Sequence, residues 1–242
     1  MISIEFTKLL HSITYYLSYQ NRIGRDFMVS ESSLKYPVAD YLTGLEMPLS
    51  RIELEFPHPH LKKRQIDLVT HPVPPSGIET DASKQKIESA YEFKMASAFT
   101  KYESEQKRIF NDILRLHLLA KRDACSSYFI MVGAQEDFIQ FFRSIPSKKP
   151  KANIINASIP SPVGFYTEWF DFEKNGVRDF TVQGADQEIY KHIYNSFLDD
   201  YKPKEDTEKL QLPDKLTTKC IAISGLSIDY PTPYVGGIWE IK

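Results

Sequence analysis

An α/β fold is predicted from three features of the sequence: long segments with apolar residues at helical spacing, three short strand-like segments in succession, and a fourth strand directly after the second long helix. Consecutive strands with no helix between them form an antiparallel meander. The strand, helix, strand step that follows forms a parallel crossover in the same sheet.

Each element has its own signature. Ile2, Phe6, Leu9, Leu10, Ile13, Tyr16 and Leu17 mark a helix over residues 3–20 that ends near Gly24. Ser30 or Ser33 caps a second helix running to about Leu42, with Leu34, Val38 and Tyr41 inward, and Pro37 requires it to start late or kink. From Arg51 the period becomes two, with Ile52, Leu54 and Phe56 on one face of a first strand. RQIDLV (64–69) and SAYEFKMA (89–96) follow as strands, separated by the breaker-rich HPVPPSG and a polar stretch. Residues 101–122 form a long helix with Tyr102, Gln106, Ile109, Ile113, Leu116 and Ala120 inward, and SSYFIMV (126–132) is a buried strand.

Beyond a short helix near Asp137 to Phe142, a stretch rich in Pro, Ser and Lys reads as a surface connection. FYTEWFDF and VRDFTV flank Asn175-Gly176 as a hairpin, followed by a helix near 185–200 and two late strands. The expected organisation is an α/β core over residues 1–149 and a C-terminal α+β extension over 150–242 that can pack on the same sheet.

Hydrophobic residues make up 42% and aromatics 13%, enough for a full core and too apolar for a disordered chain. The net charge of -2 gives no long-range attraction to a polyanion, so any nucleic-acid binding must come from local patches or bound metal. Cys125 and Cys220 have no C-x-x-C partner and indicate neither a zinc knuckle nor a disulfide framework. Glu5 stands where a signal peptide needs basic residues, and no run approaches the ~18 apolar residues of a membrane span. The expected location is cytoplasmic, with no membrane partner.

Period two places Glu92 and Lys94 on one face of the third strand, with Tyr91, Phe93 and Met95 on the other. Asp67, between Ile66 and Leu68, leaves its own strand opposite two large apolar side chains. Three ionisable groups can therefore converge on one spot. Mg²⁺ is typically held by one or two carboxylates with waters and phosphate oxygens completing the octahedron, which Asp67 and Glu92 suit, with the Phe93 carbonyl as a further ligand. Lys94 is then placed to hold a water for in-line attack on phosphorus and to neutralise charge on the phosphoryl oxygens.

The Glu92-Phe93-Lys94 triplet in a strand, with Asp67 on the preceding one, resembles the motif of the PD-(D/E)XK nuclease superfamily, and the resemblance covers about residues 1–132. Ile66 stands where the motif's nominal proline would be, and the spacing from Asp67 to Glu92 is long. The resemblance implies a restriction-endonuclease-like core and Mg²⁺- or Mn²⁺-dependent hydrolysis of nucleic acid, DNA ahead of RNA. It implies that Asp67 and Glu92 hold the metal and Lys94 serves the water. It also implies a glutamate near the metal from the first core helix, where Glu31 is the residue available; simple helix-dipole stabilisation explains Glu31 as well.

For substrate contact the candidates are Lys62, Lys63 and Arg64 in the turn before the Asp67 strand, Lys84 and Lys86 before the Glu92 strand, and Gln106 on the long helix, where an ordinary buried amide fits equally. Lys101, Arg108, Arg115 and Arg122 recur every seven residues, but Glu105 and Asp112 interleave, which favours a solvated ion-pair face. His58, His60 and His71 match no zinc spacing and read as water-facing loop residues. A non-catalytic binding or assembly module is the alternative, docking a partner, a second copy of the chain included, through the C-terminal hairpin and aromatics around Trp169 and Trp239.

Overall fold

The computed structural model describes residues 3–74, 85–96, 102–135, 137–138, 164–167, 180–183, 195–201, 210, 215–224 and 233–242. They form a mixed α and β structure. Helix α1 (Phe6–Arg22) buries Leu9, Leu10, Ile13 and Leu17, as its periodicity requires, and ends where Gly24 takes a φ of 71°, open to glycine without a Cβ clash.

Helix α2 (Lys35–Gly44) starts late. A 3-10 turn at Glu31–Leu34 precedes it, held by Ser33 Oγ, which donates to Ser30 O at 2.8 Å and accepts from Ser30 N at 3.3 Å. Pro37 thus falls in the first turn, where its missing N–H breaks no helical bond.

Six strands make the main sheet, in the order β1 (Ile52–Pro57), β2 (Gln65–Thr70), β3 (Ser89–Ala96), β4 (Ser126–Ala134), β8 (Tyr234–Ile241), β7 (Lys215–Ile223). β6 (Phe180–Gln183) and β5 (Gly164–Thr167) extend it past β7. β1, β2 and β3 form the antiparallel meander, α3 (Tyr102–Asp123) crosses over, and β4 joins β3 in parallel. β8 pairs antiparallel with β4 from Ser127–Ile241 to Ala134–Tyr234. The C-terminal residues therefore enter the sheet beside the core.

Each face of the sheet is closed by its own apolar cluster. On one side Leu9, Leu10 and Leu17 of α1 and Leu34, Val38 and Leu42 meet Leu68, Tyr91, Phe93 and Ile130. On the other Ile109, Ile113 and Leu116 of α3 meet Val69, Ala90, Phe129 and Trp239. Trp239 is fully buried, its ring centroid 6.1 Å from that of Phe129, so it belongs to the core and not to a docking surface. Trp169 and the Asn175-Gly176 turn lie outside the described residues, as does most of the short helix near 137–142; residues 195–200 are helical. Among the described residues no helix is long and apolar enough to cross a membrane.

The regular alternation expected of β1 breaks at Glu55. Its φ of 53° is rare for a residue with a Cβ and turns the strand, leaving Leu54 41% exposed while Phe56 is buried. β2 turns at the matching place. Ile66 packs on the α3 side and Leu68 on the α1 side, which residues two apart can do only if the strand rotates between them. The distortion brackets Asp67.

Candidate active site

The ladder between β2 and β3 runs from Thr70–Ser89 to Leu68–Tyr91, and one further step of that register sets Asp67 opposite Glu92. The ladder ends because Asp67 itself takes the next donor: Phe93 N donates to Asp67 Oδ2 at 2.9 Å. Phe93 thus enters the site through its amide. The Asp67 side chain keeps 22% exposure, whereas Glu92 is 1% exposed. The two carboxylates meet at an opening between strands, with one reaching water and the other inside.

Lys94, also buried, sits between two acids. Its Nζ lies 3.0 Å from Glu31 Oε2 and 3.9 Å from Asp112 Oδ2, and Met95 N donates to Glu31 Oε2 at 3.4 Å. The structure therefore brings Asp67, Glu92, Phe93, Lys94 and Glu31 together.

Four further residues join the cluster that the sequence did not assign to the site. Lys35 Nζ pairs with Glu55 and lies 3.3 Å from Asp67 Oδ1. Arg115 NH2 lies 3.1 Å from Glu92 Oε2 and also pairs with Asp112, while NH1 donates to Gln65 O at 2.8 Å. Asp112 and Arg115 thus face the sheet, which overturns the solvated ion-pair reading of this part of α3. Their spacing held the clue, because 112, 115 and 119 fall on one helical line ending at the fully buried Leu119. Lys35 also left a trace: a lysine in the first turn of a helix opposes the macrodipole and needs an acidic partner. Glu55 left none, since nothing in IELEFP announces a positive φ.

Burying unpaired charge is costly, and among the described residues the buried Asp, Glu, Lys and Arg are Lys35, Glu92, Lys94 and Asp112, all in this one cluster. Burial pushes the Glu92 carboxyl well above the usual range; Arg115 opposes this and Asp112 and Asp67 add to it. Burial likewise raises Asp112 to about 6, against the pull of Arg115 and Lys94. Glu92 Oε1 is buried with no hydrogen-bond partner, as is Arg115 Nε. Among the described residues, five carboxylates (Glu31, Glu55, Asp67, Glu92, Asp112) meet three cations (Lys35, Lys94, Arg115). Ionised throughout, the cluster is short of two positive charges.

The basic residues proposed for substrate contact separate into two kinds. Lys62, Lys63 and Lys86 are exposed. Arg64 is committed inside the protein: its Nε lies 2.7 Å from Asp200 Oδ2, NH2 donates to Ser196 Oγ, and its guanidinium stacks 5.0 Å from the Phe197 ring centroid. Lys84 and the Gln106 side chain lie outside the described residues.

The histidines do not face water. His58, His60 and His71 are all at most 2% exposed. His58 Nδ1 accepts from His60 N at 3.1 Å, which leaves Nε2 to donate to Arg115 O at 3.3 Å. His60 Nε2 lies 2.7 Å from Asp123 Oδ2, and His71 Nδ1 is 2.9 Å from Lys86 O. These rings anchor the turns around the site, a role that periodicity could not reveal because each lies between regular elements.

Among the described residues no group of three or more His, Cys, Asp or Glu is arranged to enclose a metal. Asp67 and Glu92 stand there as a pair. Comparison with known protein families, with curated proteins and with solved structures gives no match to this chain.

Proposed function

We propose that this chain is a nuclease of the restriction-endonuclease-like type that cleaves nucleic acid, DNA ahead of RNA, with Mg²⁺ or Mn²⁺. The observation that carries the proposal is the carboxylate pair: a buried Glu92, whose Oε1 receives no donor from the protein, facing Asp67 among described groups that, all ionised, would carry more negative than positive charge. A divalent ion supplies that deficit, and the residues present fit one.

Asp67 and Glu92 would hold the ion, with the Phe93 carbonyl as a further donor and Glu31 at the outer edge through its pair with Lys94. Bound there, the metal would supply Lewis-acid polarisation of a phosphoryl oxygen and a more acidic water. Lys94 is held in place by Glu31 and Asp112, so its ammonium can orient the attacking water and offset charge that develops on phosphorus oxygens. Lys35 pairs with Glu55 and with Asp67 and so holds the Asp67 carboxylate in place. Exposed Lys62, Lys63 and Lys86 would meet the backbone phosphates.

One observation favours a non-catalytic module instead: Arg115 already neutralises part of Glu92. The two readings separate in one experiment. Plasmid, single-stranded DNA and RNA are incubated with the protein in Mg²⁺, Mn²⁺ or chelator, and metal binding is followed by calorimetry. The nuclease reading expects metal-dependent cleavage, loss of both cleavage and metal binding in Asp67→Asn, and loss of cleavage alone in Lys94→Ala. A parent protein that neither binds metal nor cleaves any substrate establishes the non-catalytic reading.

A further inference from the structure

We infer that Arg115 sets which divalent ion the site accepts, by holding Glu92 to a single free oxygen. This rests on the metal-binding reading above. The two oxygens of Glu92 have different fates: Oε2 lies 3.1 Å from Arg115 NH2, whereas Oε1 receives no donor from the protein and the carboxyl faces Asp67. A cation shared with Asp67 would find Oε1 as the Glu92 oxygen that Arg115 leaves open.

Arg115 is built to stay where it is. NH1 is tied to Gln65 O at 2.8 Å, NH2 bridges Glu92 and Asp112, and the backbone carbonyl of Arg115 accepts from His58 Nε2. The side chain is only 17% exposed, so water competes little for its donors. A planar fork held from β2, β3 and its own helix keeps the Glu92 carboxylate from turning both oxygens outward.

Ion chemistry converts this restraint into selectivity. Mg²⁺, and Mn²⁺ in its octahedral form, takes carboxylates one oxygen at a time and fills the rest of its shell with water and phosphate. Ca²⁺ takes six to eight oxygens and gains from bidentate carboxylates. A Glu92 limited to Oε1 suits the first kind and penalises the second. Removing the guanidinium strengthens the attraction for any dication, so absolute affinity does not test the idea. The ratio of affinities does, because both ions carry the same charge.

The experiment measures Mn²⁺ and Ca²⁺ affinity by calorimetry in the parent, Arg115→Gln, Arg115→Lys and Asp67→Asn proteins, with folding checked by circular dichroism in each ion. The expected result is a shift of about tenfold in favour of Ca²⁺ in Arg115→Gln, and a smaller shift of the same sign in Arg115→Lys, whose single ammonium cannot span Glu92, Asp112 and Gln65 O together. Equal gains for the two ions in Arg115→Gln leave Arg115 as a charge without selectivity and overturn the inference, while the metal site stands if Asp67→Asn loses binding. If Arg115→Gln does not fold even in saturating metal, Arg115→Lys decides, and an unchanged ratio there overturns the inference equally. A parent that binds neither ion removes the metal-binding reading itself.

Discussion

Two buried polar clusters lie on opposite faces of one strand pair, and they are satisfied in opposite ways. On the α1 side Thr70 Oγ1 and Ser89 Oγ are 2.5 Å apart and Ser89 Oγ donates to the Tyr91 hydroxyl at 3.1 Å. All three residues are buried and neutral, and burial holds the Tyr91 hydroxyl protonated by raising it well above its usual value. On the α3 side, one register step away, Asp67 and Glu92 face each other as two carboxyl groups, and Glu92 Oε1 receives no donor from the protein. The hydroxyl cluster closes on itself. The carboxylate cluster does not: Glu92 Oε1 and Arg115 Nε are buried without partners, an arrangement that costs the fold stability.

The largest effect is expected from removing the cation on the charged side. Arg115→Ala leaves Glu92 and Asp112 buried together without their shared partner, and a loss of ~3–5 kcal/mol is expected in chelator at about pH 8, read by urea unfolding. A smaller loss near pH 5 is part of the expectation, because protonation relieves the repulsion. Parent-like stability at both pH values would place the cluster's energetics elsewhere.

On the neutral side the effect is smaller. Ser89→Ala strips Thr70 and Tyr91 of their common partner and should cost ~1–3 kcal/mol, while calorimetric metal affinity stays at the parent value. A change in metal affinity would show that the two faces are coupled.

Only the charged side titrates in the accessible range. Glu92 and Asp112 are raised above their unfolded values, Asp112 to about 6, so the native state binds protons that the unfolded state has released. The stabilisation is full below the unfolded carboxylate range near ~4 and is lost as pH rises through the folded value. Without metal the thermal midpoint should therefore fall between about pH 4 and about pH 6 from this source. Asp112→Asn, or saturating Mg²⁺, should flatten that slope, and an equal slope in Asp112→Asn would remove Asp112 as its origin.

The smallest stability effect is expected from the exposed lysines. Lys62→Ala with Lys63→Ala should change stability by less than ~0.5 kcal/mol, yet weaken nucleic-acid binding and reduce the logarithmic salt slope by about two. Filter binding across a salt series measures it, and an unchanged slope would move the binding face elsewhere.

What could be read from the sequence followed the periodic elements. Period two alone put Glu92 and Lys94 on one face, and helical spacing marked α1 and α3, because burial of one face leaves a repeating imprint. The other half of the cluster is tertiary. Lys35 and Glu55 reach Asp67 only because a 3-10 turn delays α2 and a positive φ turns β1, and neither event leaves a repeat. Arg115 and Asp112 were misread because charges at helical spacing look alike whether they face water or buried counter-charges. Arg64 was misread for the converse reason: its partners Asp200 and Ser196 lie far along the chain.

The pairing of β4 with β8 has a kinetic consequence. Ile130 finds its ladder partner in Ile238, so the open edge of β4 has to wait for a distant segment while the meander, α3 and the parallel β3–β4 contact can form from near neighbours. Long loop closures of this kind slow folding, and the interval leaves an apolar strand edge bare. Phe129 and Met131, fully covered in the finished sheet, are then the places where a half-made molecule would pair with another. Refolding yield should consequently fall with protein concentration more steeply than native stability alone would suggest, and a peptide spanning Tyr234–Ile241, supplied in excess, should compete for that edge.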